Sequence, residues 1–137
     1  MYPTKKEILA HSPPKISILT TEVILDWKSD YLKNWKEKSA EQKIDALEIL
    51  ITAIALTEYK KCPSIKKANK DCYSPKREII YLNQNKPSII SALHELSHFL
   101  FGPSELTACS WSICIFRTFF PTLYKQLKWK GHLLIKK

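Results

Sequence analysis

Glycine scarcity is the feature that most constrains the fold of this chain, because its 137 residues include only 2 glycines against 8 prolines. β-sandwiches and barrels consist of many short strands joined by tight turns, and such turns commonly depend on glycine. We therefore expect a mainly helical fold of the α+β class with a short mixed or antiparallel sheet. The length and a hydrophobic content of 45% suit one domain over residues 1–137. Its core is predicted at 40–120, with residues 1–38 as an N-terminal extension that packs on it.

Capping residues and apolar periodicity predict three main helices. With their N-caps, these are residues 40–59 (Ser39), 89–101 (Ser88) and 105–120 (Ser104). Gln42, three residues after Ser39, completes a capping box for the first helix. Gly102 followed by Pro103 ends the second helix, and Pro121 ends the third. Before them, the β-branched residues of 16–23 predict a short extended piece. A helix is predicted after it from residues that recur at helical spacing: Val23, Trp27, Tyr31 and Trp35.

Fewer segments of the sequence have patterns typical of strands than of helices. Residues 78–82, Glu-Ile-Ile-Tyr-Leu, predict a strand. Because this strand directly precedes an apolar helix, we expect it to border a cleft and to present backbone groups to an extended peptide. Residues 62–76 are rich in lysine, lack periodicity and are predicted as a loop. The tail, residues 129–137, is expected to add a short strand.

The charge of the chain indicates little about its partners. A net charge of +9 favours acidic partners. However, only 2 of the 22 basic residues are arginine, Arg77 and Arg117. Arginine is the side chain that binds phosphate with two hydrogen bonds and recognises guanine. No helix-turn-helix or zinc-finger spacing accompanies the charge, so nucleic-acid binding is the least favoured function. The sequence does not predict the oligomeric state.

Cysteine usage and the apolar segments predict a cytoplasmic protein. The four cysteines form no C-x-x-C pair and are too few for a disulfide scaffold, so we expect them to be reduced. The N-terminus lacks the apolar region of a signal peptide. The apolar runs are shorter than the roughly 18 residues that span a bilayer, so no membrane insertion is expected.

The most specific motif lies on the helix predicted at 89–101. Residues 94–98 read His-Glu-Leu-Ser-His, an H-E-x-x-H pattern. Residues four apart lie on one helical face, so His94 and His98 can bind one zinc ion while Glu95 lies beside it as a general base. The alternative is that these are core histidines, but two imidazoles on an apolar helix carry a burial cost that a metal relieves.

A zinc hydrolase requires a third protein ligand and an open fourth position. Glu105 is the best candidate because it begins the next helix, just beyond the Gly102-Pro103 reversal. The alternative is that Glu105 binds no metal and is only an acidic residue in the first turn, where the helix dipole favours negative charge. Cys109, one turn further on, and His132 are the remaining options, although a buried helical cysteine is more often an apolar filler.

These residues together resemble the zincin metallopeptidases, and within them the glutamate-zincin (gluzincin) group in its minimal, ImmA/IrrE-like form. The resemblance covers residues 78–120 and is carried by the strand, by the H-E-x-x-H helix, and by Glu105, Ala108 and Trp111, which fit the spacing of the glutamate helix. It implies a small zincin fold of helices against a short sheet. The chain departs from the family at Cys109, where an asparagine or aspartate that orients a histidine ligand is common.

The predicted function is zinc-dependent hydrolysis of a peptide bond in a peptide or protein substrate. Zn²⁺ would polarise the carbonyl and activate water, and Glu95 would transfer the proton. Tyr81, Tyr124 and His132 are candidate donors to the oxyanion or contacts to the substrate. Two other functions compete with this prediction. One is a catalytically silent zincin-fold module that binds a protein, and the other is a basic nucleic-acid-associated protein.

Overall fold

The computed structural model describes residues 2–58 and 60–137. The described residues form six α-helices: α1 (Lys5–Ala10), α2 (Ile18–Tyr31), α3 (Ala40–Thr57), α4 (Ile89–Phe101), α5 (Glu105–Phe119) and α6 (Pro121–Lys125). They also form five strands: β1 (Ser64–Ala68), β2 (Cys72–Ser74), β3 (Ile79–Asn83), β4 (Leu127–Lys130) and β5 (Leu133–Lys136). This mixture of dominant helices and short strands confirms the predicted α+β class.

The helix boundaries follow the capping signals closely. The Ser39, Ser88 and Ser104 side chains each accept a hydrogen bond from a backbone N–H in the first turn of their helix, as the sequence predicts. The last residue predicted for α3, Tyr59, lies outside the described residues. Two short helices were not predicted. A capping box between Thr4 and Glu7 begins α1, and Pro121, predicted to end α5, occupies the first turn of α6, where a missing N–H costs nothing.

The first sheet has the order β1-β3-β2, so β3 is its central strand. β1 runs parallel to β3, with Ser64 opposite Ile79, and β2 runs antiparallel, with Cys72 opposite Tyr81. The prediction that residues 62–76 form a loop is therefore wrong, because pairing with β3 orders two strands there that have little apolar periodicity of their own. The prediction that residues 78–82 present backbone groups to a substrate is also wrong, because β3 is paired on both edges.

The main core lies between α2, α3, α4, α5 and the inner face of β3. Leu47, Leu50 and Ile51 of α3 are fully buried in it, as is Leu96 of α4. The segment predicted as an N-terminal extension also contributes to this core. Its Trp27 is buried and donates a hydrogen bond from Nε1 to the carbonyl of Ala46 at 2.7 Å. α2 and α3 are thereby held together.

A smaller cluster packs the two ends of the chain against α5. Ile8 of α1 is buried with Cys109 and Ile113 of α5, and Trp129 and Leu134 of the β4–β5 hairpin pack against them. The hairpin is antiparallel, with Trp129 opposite Leu134. The predicted short strand of the tail is thus a two-stranded hairpin beside the N-terminal half of α5.

None of the described helices combines the length and the apolar character that crossing a bilayer requires.

Candidate metal centre

The centre forms where α4 and α5 meet. His94 and His98 lie one turn apart on α4, and their ring centroids are 5.0 Å apart at an interplanar angle of 77°. Gly102 ends α4 with a φ of 100° and a ψ of −164°, a region that is open almost only to glycine. This reversal turns the chain so that Glu105, the first residue of α5, faces the preceding helix.

The carboxylate of Glu105 joins the two histidines. Its Oε1 lies 2.9 Å from Nε2 of His98, and its Oε2 lies 3.2 Å from Nε2 of His94. The two histidine side chains are 20% and 12% exposed, and that of Glu105 is 34% exposed, so the cluster is partly accessible to solvent rather than deep in the core. Three side chains of two types that zinc accepts, imidazole and carboxylate, thus lie close together.

The other ring nitrogen of His98 defines the chemistry of its Nε2. Nδ1 lies 3.0 Å from the carbonyl oxygen of Gly102, which can only accept, so Nδ1 carries the proton. In neutral His98 the lone pair of Nε2 then points at a carboxylate oxygen. Two lone pairs at this distance repel, and a cation bound by both groups would remove the repulsion. A backbone carbonyl on Nδ1 is also the usual support of a metal-binding histidine.

His94 is held in a similar way from the α5 side. The Sγ atom of Cys109 lies 3.9 Å from its Nδ1 and donates to the carbonyl of His132 at 4.0 Å. Burial, followed by the charges of His98 and His132, lowers the pKa of His94 against the opposing effect of Glu105. The neutral imidazole, which is the metal-binding form, is therefore favoured. Imidazole and carboxylate groups are donor types that zinc accepts, so a zinc ion is chemically possible at this cluster.

Cys109 is close enough to be considered as a ligand itself. One ligand atom each of His94, Glu105 and Cys109 lies within 4.8 Å of the other two. Burial, together with the negative charges of Glu105 and Glu95, raises the pKa of the Cys109 thiol to about 12. Zinc binds the thiolate, and Sγ faces Nδ1 of His94 rather than Nε2. Glu105 is therefore the better candidate for a third ligand, and Cys109 lies behind His94 on its Nδ1 side.

Glu95 lies between the two histidines in sequence and is half-buried. Burial raises its pKa to about 7; the nearby charge of His98 opposes this shift, and the carboxylates of Asp71 and Glu105 add to it. A carboxylate with a pKa near neutrality accepts and releases a proton readily at physiological pH, which is the property of a general base.

Asp71, in the turn between β1 and β2, is a third carboxylate of this region, and sequence reasoning missed it. It accepts a hydrogen bond from the backbone N–H of Asn83 at 2.8 Å. Burial raises its pKa, against the hydrogen bonds from Asn83 and Ser91. Only the pairing of β1 and β2 with β3 brings Asp71 to α4, and the sequence of residues 62–76 gave no signal of that pairing.

The three residues predicted as donors to the oxyanion or as substrate contacts lie at different distances from the centre. Tyr81 lies on the face of β3 opposite Ile80 and Leu82, which are buried in the core, so it stays outside the centre. Tyr124 of α6 packs against the cluster that contains Cys109. His132, in the turn of the hairpin, stacks on Tyr2 with ring centroids 4.1 Å apart, and it is close enough to lower the pKa of His94.

Comparison with known proteins gives no further assignment. No family model matches the chain, and no curated protein or solved structure matches it. The zincin resemblance therefore rests on the motif residues and stays a prediction.

Proposed function

We propose that this chain is a small cytoplasmic zinc metallopeptidase that hydrolyses a peptide bond. The observation that carries the proposal is the convergence of His94 Nε2, His98 Nε2 and both oxygens of Glu105, at 3.2 and 2.9 Å, next to the half-buried Glu95. Two imidazoles and a carboxylate are the ligand set of a catalytic zinc site, which keeps a position open for water or substrate.

In this proposal His94, His98 and Glu105 hold zinc, and the residues around them provide the proton transfer. A bound zinc ion would supply Lewis-acid polarisation and lower the pKa of water. Glu95 accepts a proton from the attacking water and passes it to the nitrogen of the cleaved bond, so that a neutral amine leaves. Cys109 and the carbonyl of Gly102 fix the orientation of the two imidazole rings.

A donor to the developing oxyanion is needed besides the metal ligands. His132 is the better candidate because its charge acts on His94 and its ring is held against Tyr2. Tyr124 is the second candidate, since it packs beside Cys109. The substrate backbone has to find a partner other than β3, whose two edges are paired with β1 and β2.

The experiment that tests this function is Glu95→Gln on a peptide-library cleavage assay with mass-spectrometric readout. The amide keeps the size of the side chain but cannot accept a proton, so activity should fall on the order of a hundred- to ten-thousand-fold while zinc content stays unchanged. The matched control is Glu48→Gln, an exposed glutamate on α3, which should retain wild-type activity. Absence of cleavage by wild type would overturn the peptidase and leave a zinc-containing protein-binding module, whereas equal cleavage by wild type and Glu95→Gln would overturn the role of Glu95 as the base.

A further inference from the structure

A groove of about 690 Å³ lies at the far end of α5 from the metal centre. Its walls come from α2, from the turn that follows it, and from α6, and its lining side chains include Leu25, Leu32, Trp35 and Leu123. The metal centre is at the first residue of α5, whereas α6 follows its last, and 15 residues of helix span about 22 Å. The groove is therefore separate from the site of the proposed chemistry.

The shape of the groove follows from the end of α2. Leu25, Lys28, Ser29 and Leu32 recur at helical spacing and so form one face of α2. Asn34 then adopts a left-handed conformation, with a φ of 58°, and the chain folds back so that Trp35 packs on Trp27 with ring centroids 5.6 Å apart. This corner leaves the α2 face open toward α6, and Leu25 is 50% exposed there.

The rim of the groove is basic. Among the described lining residues, Lys28, Lys33 and Lys36 are basic and only Glu37 is acidic. Lys33 and Lys36 are exposed, so their ammonium groups are free to reach over a bound ligand. An apolar floor under a lysine rim is complementary to a segment that presents leucine-like side chains on one face and carboxylates on its flanks.

We propose that this groove binds an acidic amphipathic segment of a partner protein. A second copy of the chain fits poorly, because two lysine rims would face each other on a protein of net charge +9. Nucleic acid also fits poorly, since the floor is apolar and no arginine is among the described lining residues. Because the groove lies at the opposite end of α5 from the histidines, docking there leaves the metal centre open.

The test uses a fluorescein-labelled helical peptide of about 16 residues, with leucines at i, i+4, i+7 and i+11 and glutamates at the flanking positions, titrated with full-length protein. Fluorescence anisotropy should show binding at least about tenfold tighter than that of the same peptide with glutamine in place of glutamate, and the preference should shrink as salt rises. Leu25→Ser, an exposed position, should weaken binding of both peptides.

The matched pair of variants separates the groove from overall charge. Lys33→Glu/Lys36→Glu should lower the affinity for the acidic peptide at least about tenfold, whereas Lys66→Glu/Lys67→Glu, an equal charge change at exposed residues of β1, should lower it only slightly. Thermal unfolding checks that each variant is folded. His94→Ala should bind the peptide like wild type, so this test does not depend on the proposed peptidase activity.

Three results would overturn the proposal. The first is equal loss of affinity in both double variants, which would indicate a nonspecific charge effect. The second is competition by single-stranded DNA or by phosphatidylserine vesicles at the same charge concentration, with an affinity as high as that of the peptide. The third is a dimer by sedimentation that Leu25→Ser abolishes, which would assign the groove to a second copy.

Discussion

Burial determines the chemistry of the side chains that surround the two histidines. It raises the pKa of Glu95 to about 7 and that of the Cys109 thiol to about 12, and it also raises the pKa of Asp71. The same physical cause has different consequences. Glu95 becomes a proton acceptor suited to neutral pH, while Cys109 is kept as a neutral thiol next to His94.

Cys109→Ser tests the orienting role of the thiol. The hydroxyl can still interact with Nδ1 of His94, so we expect about one zinc per chain to remain, with a loss of affinity of no more than about 10- to 100-fold, the range for outer-shell changes. Competition with a fluorescent chelator measures this affinity. A serine variant that no longer retains zinc at any accessible concentration would instead make Cys109 a ligand.

Asp71→Asn tests the cost of burying a carboxylate beside α4. The folded state raises the pKa of Asp71 above its ordinary value near 4, so the unfolded chain loses the proton first and stability falls as pH rises through this window. Asparagine keeps the acceptor for the N–H of Asn83 but carries no charge. The variant should therefore gain stability relative to wild type between about pH 4 and pH 7.

Urea unfolding at several pH values measures this gain. Asp45→Asn, at an exposed position on α3, is the control for removal of one negative charge. The raised pKa of Asp71 would be contradicted if Asp71→Asn increased the free energy of unfolding by the same amount at pH 4 and pH 7. It would also be contradicted if the variant were less stable than wild type by an amount that grows with pH.

At the level of elements, the α4–α5 reversal determines whether the three proposed ligands meet. Gly102 supplies both the backbone conformation that brings Glu105 back to α4 and the carbonyl that accepts from Nδ1 of His98. The helices themselves could be predicted from Ser88, Gly102 and Ser104. The short distance between the histidines and Glu105 depends on the dihedral angles of one residue.

Gly102→Ala should therefore affect stability and metal binding together. A Cβ at Gly102 meets no atom within 4 Å, so alanine causes no steric clash there. The destabilisation comes from backbone strain at a positive φ and is about 1–3 kcal/mol. If the backbone relaxes to relieve this strain, Glu105 moves away from the histidines. Gly131→Ala is the matched control, since its Cβ also has open space and its φ is positive, at 63°. It should be destabilised without loss of zinc affinity. Equal zinc affinity in the two variants would contradict this role of Gly102.

For the whole molecule, the sequence predicts the parts whose signals are local. The α+β class, the helices that carry the histidines and Glu105, and the strand before them all follow from caps, breakers and apolar periodicity. β1 and β2 could not be predicted, because Ser64–Ala68 and Cys72–Ser74 are ordered by pairing with β3 rather than by their own pattern. Because these two strands were not predicted, β3 was wrongly expected to present free backbone groups to a substrate. For the same reason, Asp71 was not recognised as a residue near the histidines.

The packing of the chain ends beside the centre is equally nonlocal. α1 and the β4–β5 hairpin meet over Cys109 and Ile113, and the stacking of Tyr2 on His132 joins residues at opposite ends of the sequence. Apolar residues such as Ile8 and Trp129 indicate burial but not the surface that buries them. The residues that form the small cluster therefore could not be predicted from the sequence alone.

The central claim is that His94, His98 and Glu105 hold one zinc ion for a reaction in which Glu95 is the base. Metal content by inductively coupled plasma mass spectrometry, on protein purified without added metal, tests it most directly when wild type, Glu105→Ala and Glu95→Gln are compared side by side. We predict about one zinc per chain in wild type and in Glu95→Gln, as a catalytic site of three ligands requires, and a large loss in Glu105→Ala. Metal-free wild type, or full zinc occupancy in Glu105→Ala, would contradict the account.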